Sequence, residues 1–497
     1  MMIRILYIVL HLGLLMVCTN CSKDIGNYDY QDKNVLTVDS ILTEDHNSGR
    51  IYRFVYGDSI NIVPVITGTM SKNDLSGLSF VWTVGKDTIA KTKDLRITSD
   101  RIGFGKKVGN LYITDHTEDV RYNFNFTFEI TSDAPRGHFV LAEDAQGRSL
   151  LYTKSSVKPS ASFKSYDKIG NFSLGDKPSG LELVRNSGSS STNYTYSLIT
   201  ATEKGAPYQV MQCLVGDMLP TILYGNNSLS GSEKIFAPTS LKRTRSFGRV
   251  SYVLNNGKIH TVSMGVVSPV LYPEDPLGYD FGKEGLIANV GLFGYYVAGF
   301  DQRNSRFRIF GNNWKVQNLF VKNYDHLIDP MLTKGHTFVG GAEAVEVDHY
   351  IYTILTKKGN TLYLFKLVFD TATEPKEFVQ VASKEIAGLD QLSHAFFNTG
   401  NSFWYLAIGR KIYSTSVLGL DPQPVFTLPD DNSGNIVTFN FNYDDASNYS
   451  TVGIATYDPL SPERHKGSYY IMNSSTGQLM ESLRNSIDKA KAIQIGL

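Results

Sequence analysis

Cysteine is nearly missing from this 497-residue chain: it has three, Cys18, Cys21 and Cys213. Two of them stand near the N-terminus, so a framework stapled by disulfides is excluded as the source of stability. Tryptophan is equally scarce, with three residues, while Tyr and Phe number 29 and 27. Neither sign of charge is in excess, because Lys plus Arg and Asp plus Glu come to 48 each. That balance supplies no basic field to hold nucleic acid and no acidic tail, so a nucleic-acid partner is not expected. The apolar run near the start, Ile5–Val17, has about 13 residues, short of the roughly 20 that a membrane-spanning helix needs.

What is present describes a folded, strand-rich protein. The length exceeds one ordinary core, so two or more domains or a repeat array are expected. Hydrophobic residues make up 42% and aromatics 12%, which excludes a disordered chain. The aromatic share is mostly Tyr and Phe, the residues that suit half-buried strands.

One early charge (Arg4) followed by Ile5–Val17 fits the core of a signal peptide, assigned to residues 1–20. A cysteine just after such a core resembles a bacterial lipoprotein signal, in which that cysteine is acylated and becomes the mature N-terminus. Cys18 follows Leu15-Met16-Val17, with a bulky valine where a small residue is usual. Cys21 follows Thr19-Asn20 and precedes Ser22-Lys23-Asp24, so Cys21 is the expected lipidation site and Cys18 the alternative. With Cys21 acylated, no intramolecular disulfide is possible, and Cys213 is expected as a buried small hydrophobe.

Residues 21–34 read as a polar tether without periodicity. Within it, Gly26-Asn27-Tyr28-Asp29-Tyr30 follows Cys-x-x-Asp-Ile. This segment resembles the start of the PKD-like family lipoproteins of Bacteroidetes. The resemblance implies an outer-membrane, lipid-anchored location beside a nutrient-uptake system built from a TonB-dependent transporter and a partner lipoprotein. It implies context and no reaction.

From 35 to 132 the chain shows short strands and no helical pattern. Ser59–Ile66 (SINIVPVI) alternates, and Leu78–Val84 (LSFVWTV) is apolar. Tyr122–Ile130 (YNFNFTFEI) places Tyr122, Phe124, Phe126, Phe128 and Ile130 on one face. These signals predict a β-sandwich of immunoglobulin or PKD type, with Trp82 packed in its core. Gly103-Phe104-Gly105 reads as a loop, since its spacing breaks the dinucleotide fingerprint.

From 136 to 497 paired apolar runs recur around turn residues: His138–Tyr152, Tyr194–Gln212, Arg249–Met264, Tyr295–Phe310, His349–Phe369, Ser402–Val417 and Thr451–Met472. Their spacing is near that of propeller blades. The expected architecture is all-β, a β-propeller of about seven blades behind the sandwich, with each hairpin the inner part of a four-stranded blade. Ala492–Ile495 is the candidate closing strand. Two further β-sandwiches remain the alternative.

Motifs of catalysis are mostly missing, with no Gly-x-Ser-x-Gly elbow, His-Glu-x-x-His pair or phosphate loop. His138, His260, His326, His336, His349, His394 and His465 stand singly without metal-ligand spacing. Asp430-Asp431-Asn432 with Gly434, and Asp444-Asp445, lack the regular calcium-loop pattern and read as turns. No catalytic residue, metal site or cofactor is therefore assigned. Carboxylates near turns (Glu203, Glu274, Asp275, Glu284, Glu343, Glu346, Asp348) would be needed for sugar hydrolysis. Tyr272, Tyr279, Trp314, Tyr324 and Trp404 lie beside turn-rich segments, and Trp314, Trp404 and Tyr324 are the candidate ligand-stacking residues. For Trp404, inside SFWYLAI, inter-blade packing competes with that role.

The functional expectation is a non-catalytic lipoprotein that captures a nutrient, by family context a glycan, for a TonB-dependent uptake complex. The alternatives are an extracytoplasmic polysaccharide hydrolase or lyase with carboxylates at the propeller mouth, and a structural docking subunit.

Overall fold

The structure is a computed structural model. It describes residues 33–39, 41, 49–69, 74–132, 137–156, 162–186, 195–205, 207–216, 218–230, 232–243, 251–263, 266–269, 278–290, 296–313, 316–346, 349–370, 374–399, 401–442 and 451–496. The signal segment, the tether up to residue 32, Cys21 and Trp314 lie outside the described residues.

The chain divides into two compact units. The first takes in residues up to Tyr52, Ile60–Ile97 and Lys107–Thr127, and the second takes in Arg53–Ser59, Thr98–Lys106 and Phe128–Leu497. All regular structure among the described residues is strand or short 3-10 turn.

The first unit carries most of a five-stranded sheet, ordered Ile51–Val55, Val120–Thr131, Gly105–Asp115, Leu78–Val84, Asp87–Ala90. Two-stranded ladders join Leu36–Val38 to Ile66–Gly68 and Ser59–Ile62 to Leu95–Thr98. Alternation in the sequence becomes alternation in burial: along Val120–Thr131, Phe124, Phe126, Phe128 and Ile130 are buried while Asn123 and Asn125 are exposed. Trp82 is fully buried, and its indole N–H donates to the Thr92 carbonyl at 2.8 Å. The Phe126 ring and that indole meet in a T-shaped contact, 5.7 Å between centroids. Gly109 leaves the space in which the Phe126 ring lies, since a Cβ there would come within 2.5 Å of it.

The second unit contains seven four-stranded antiparallel sheets among the described residues. The first joins Lys164–Tyr166, Ser149–Ser155, Gly137–Glu143 and Lys489–Gly496. The second is Asp176–Asn186, Thr195–Lys204, Tyr208–Leu214, Pro220–Gly225, and the third Pro238–Arg243, Ser251–Asn255, Lys258–Ser263, Val266–Pro269. The fourth is Leu286–Val290, Tyr296–Asp301, Arg306–Asn313, Val316–Asn323, and the fifth Thr337–Glu346, His349–Lys358, Thr361–Asp370, Glu374–Glu385. The sixth is Leu392–Asn398, Phe403–Ile408, Lys411–Ser416, Gln423–Thr427, and the seventh Asn435–Phe441, Thr451–Tyr457, Gly467–Asn473, Leu479–Ile487.

Every hairpin expected from the apolar runs is present, but as the middle pair of its sheet rather than the inner part. The first strands of successive sheets touch in order, from Asp176–Asn186 through to Asn435–Phe441. That last strand, and Asp176–Asn186 as well, also touches Lys489–Gly496. The physical reason is burial. Middle strands are covered on both faces, as in Gly137–Glu143 and Gly467–Asn473, where all but the last residue is buried. They therefore read as continuous apolar runs. The flanking strands alternate, as in Leu479–Ile487, and are fainter in sequence.

Lys489–Gly496 pairs with Gly137–Glu143 in antiparallel register, Gly137 opposite Gly496 and Val140 opposite Ile493. Ala492–Ile495 thus completes the first sheet. Two side-chain amides fix it sideways: Asn440 donates to the Ile493 carbonyl at 2.7 Å, and Gln494 donates to the Leu181 carbonyl at 2.9 Å.

Candidate functional site

Two of the three stacking candidates from the sequence are packed in cores. Trp404 is 1% exposed, lies against Phe397 at 5.2 Å, and donates its indole N–H to Thr353 Oγ1 at 2.8 Å. Tyr324 is 7% exposed within a core of the fourth and fifth sheets. Neither offers a ring face to solvent, and Trp314, like Tyr272, is outside the described residues. Tyr279 is buried, under Lys258. The Asp431 turn is an internal staple. It receives Tyr470 at 2.6 Å and Arg410 at 2.9 Å, and the Ser433 backbone N–H at 3.2 Å. Burial pushes its carboxyl up, but these donors outweigh that and hold it below the usual range. Glu203 is held by Lys283 at 2.7 Å. No group of three or more His, Cys, Asp or Glu among the described residues is arranged to hold a metal ion.

An open cleft of about 420 Å³ lies in the second unit, lined by Tyr56, Gly57, Thr98, Asp100, Lys164, Ser165 and Tyr166. Its floor is aromatic. Tyr56 stacks on Phe104 at 4.3 Å and 9°, and both rings tilt against Tyr166, at 5.4 and 5.6 Å. Phe104 and Tyr166 are buried in a core that runs on through Leu141 and Leu198, so this floor is rigid.

The rim is pinned by the backbone. Gly57 turns the chain at φ +84°, where a side chain would be strained. The Asp58 N–H closes the turn on the Val55 carbonyl at 3.0 Å. Ser99 ties the second rim segment to the first: its N–H donates to the Asp58 carbonyl at 2.9 Å and its hydroxyl to the Val55 carbonyl at 2.7 Å. Lys164 Nζ donates to the Tyr56 carbonyl at 3.2 Å and pairs with Asp58 at 3.2 Å. Burial pushes the Tyr56 phenol up, and the charges of Asp100 and Asp167 push the same way. A fixed ring, two hydroxyls, a carboxylate and an ammonium converge here without a nucleophile–base pair. Such a set can hold a ligand by stacking and hydrogen bonds.

Residues 21–178 match the PKD-like family. This segment belongs to that family. The PKD-like match passes the expected sandwich boundary at 132 and takes in all the lining residues of the cleft. No curated protein matches the chain. Among solved structures, a quinonprotein alcohol dehydrogenase-like protein from Bacteroides thetaiotaomicron is similar, with a TM-score of 0.54 at 11% identity, covering 94% of this chain and 100% of that one. At that identity the likeness is one of fold alone. The periplasmic gluconolactonase of Pseudomonas aeruginosa also matches, with a TM-score of 0.43 at 10% identity, covering 73% of this chain and 99% of that one.

Away from the cleft, polar groups gather between the seventh and first sheets. Tyr152 donates to Asp488 at 2.7 Å, and His465 Nδ1 lies 3.3 Å from the same carboxylate. His138 Nδ1 lies 2.9 Å from the Tyr469 hydroxyl, and buried Lys154 is 3.2 Å from Glu481. Burial, with the Lys154 charge adding, lowers His138 to about 4.

The cleft escaped sequence reasoning because Tyr56, Asp100 and Lys164 are far apart in the chain and sit in ordinary turns and strand ends. The one local signal is the turn Tyr56-Gly57-Asp58 before an alternating strand.

Proposed function

We propose that this protein is a lipid-anchored, non-catalytic lipoprotein of the outer membrane. It captures a glycan for a TonB-dependent uptake system, and the Tyr56 cleft is its ligand site. The observation that carries the reading is the cleft itself: a rigid aromatic floor with a hydrogen-bonding rim, lying wholly inside the PKD-like segment. The match begins at residue 21, the cysteine proposed to carry the lipid, and the transporter and its partner lipoprotein are the proposed neighbours.

The second unit is read as a seven-bladed β-propeller closed by Lys489–Gly496. Supporting this, the first strands of the second to seventh sheets touch in succession, and both the first and the last of them meet Lys489–Gly496. The likeness to the Bacteroides fold covers nearly the whole chain.

The test is a thermal-shift screen of the chain from Ser22 onward against polysaccharides, oligosaccharides, peptides and metal chelates, with each hit checked for product. A stabilising saccharide that stays intact is the expected result, since stabilisation grows with ligand concentration over Kd. Cleavage would overturn the non-catalytic reading in favour of a hydrolase or lyase, and no hit would leave docking as the role. The anchor is tested separately: Cys21→Ala should abolish acylation and release the protein from membranes, while persistent acylation would assign Cys18.

A further inference from the structure

We infer that the Tyr56 cleft selects neutral saccharides and rejects acidic ones. This rests on the capture reading and specifies its ligand class.

Lys164 is the cationic side chain in the lining, and its ammonium is already engaged by the Asp58 carboxylate and the Tyr56 carbonyl, both at 3.2 Å. Asp100 also lines the cleft, and its charge reaches the Tyr56 phenol together with that of Asp167. The Asp100 and Asp167 charges act on Tyr56, while the one ammonium of the lining is taken up by Asp58. A ligand carboxylate or sulfate would meet net repulsion there and find no guanidinium fork to receive it.

A neutral sugar meets the opposite situation. Its vicinal hydroxyls donate to Asp100, and its ring oxygens and remaining hydroxyls pair with Thr98 and Ser165, which can donate or accept. Its apolar C–H face packs against an aromatic ring. Tyr56 is suited to that contact because Phe104 already closes one of its faces and, with Tyr166, fixes its orientation. Little side-chain freedom is then lost on binding. The volume, about 420 Å³, lies inside the roughly 300–1,000 Å³ span of small-molecule sites.

The experiment is calorimetric titration of the chain from Ser22 onward, at low ionic strength. Neutral xylo-, manno- and malto-oligosaccharides are compared with oligogalacturonate and alginate oligomers of the same length. At least one neutral series should bind, with every uronate tenfold or more weaker. Asp100→Asn, an exposed position that leaves the fold intact, should weaken neutral binding about tenfold and narrow the gap to the uronates. Tyr56→Ala should abolish binding, and Tyr56→Phe should retain it. Uronates binding as tightly as neutral sugars would overturn the inference. Neutral binding that survives both Asp100→Asn and Tyr56→Ala would overturn this site while leaving capture standing. Failure of every saccharide to bind would remove both.

Discussion

Tyr469 and Tyr470 are neighbours in one strand and face opposite ways, so they sample two different seams of the second unit. Tyr470 enters the seam of the sixth and seventh sheets, which is aromatic. Phe441 lies 4.6 Å from Tyr405, 5.4 Å from Phe396 and 6.2 Å from both Phe426 and Phe439. Tyr469 enters the seam of the seventh and first sheets, where Ala142, Ala455 and Ala490 are small and His138 and Lys154 are buried. Gly453 is part of the same economy of space, since a Cβ there would meet the Tyr469 hydroxyl. The first seam gains stability from apolar volume. The second gives up volume for buried polar pairs, which penalise any pairing that leaves them unmatched. That seam is also the one that must receive Lys489–Gly496 in a single register, because a slip by one residue would turn every side chain to the wrong face.

The largest effect is expected from removing residues 489–496. The first sheet then loses an edge strand and the seventh its neighbour, and cooperative unfolding of the second unit should disappear in a calorimetric scan. An unchanged transition would show that closure is dispensable. Next in size is Phe441→Ala, at the centre of the aromatic seam. It should cost about 3–5 kcal/mol by urea denaturation, whereas a cost below about 1 kcal/mol would mean that the seam collapses to fill the space.

His138 sharpens the contrast through pH. Its folded-state pKa of about 4 lies below the ordinary value of 6.5, so the unfolded chain binds the proton first. Stability is complete above pH 6.5 and falls as pH drops towards 4, by about 3 kcal/mol. His138→Leu should flatten that part of the stability–pH curve, and an unaltered slope would exonerate this residue. His394, also lowered to about 4 by burial and the Lys242 charge, shifts in the same direction. The smallest effect is expected from Tyr470→Phe, which removes the hydroxyl bonds to Asp431 and Ser433. A loss of about 1 kcal/mol is anticipated, and a much larger one would make the polar staple, not the aromatic packing, the main support of that seam.

How much of this was legible in the chain follows from burial. Strands covered on both faces, such as Phe403–Ile408, announce themselves as apolar runs, so all seven hairpins could be found. Their neighbours could not be placed as inner or outer. Thr337–Glu346 and Gln423–Thr427 carry mixed residues, and only pairing tells which sheet they join. The buried polar groups of the closing seam were invisible for the same reason. His138 looked like any lone histidine, and its partner Tyr469 comes far later in the sequence. The cleft was harder still, because its chemistry is spread over residues 56, 98–100 and 164–166. Trp404, conspicuous in the sequence, proved to be a core residue whose indole N–H is satisfied by Thr353.

The pairing of Gly137–Glu143 with Lys489–Gly496 has a further consequence, in the order of events during folding. Six sheets can form from strands adjacent in the chain, by local contacts. The first sheet cannot: its hairpin must wait with an unsatisfied edge until the far end of the chain arrives. Contacts of such sequence separation slow folding and lengthen the life of an open, association-prone edge. A polypeptide emerging vectorially would therefore pass through a nearly complete intermediate, and the rate-limiting step would be the docking of its last eight-residue strand.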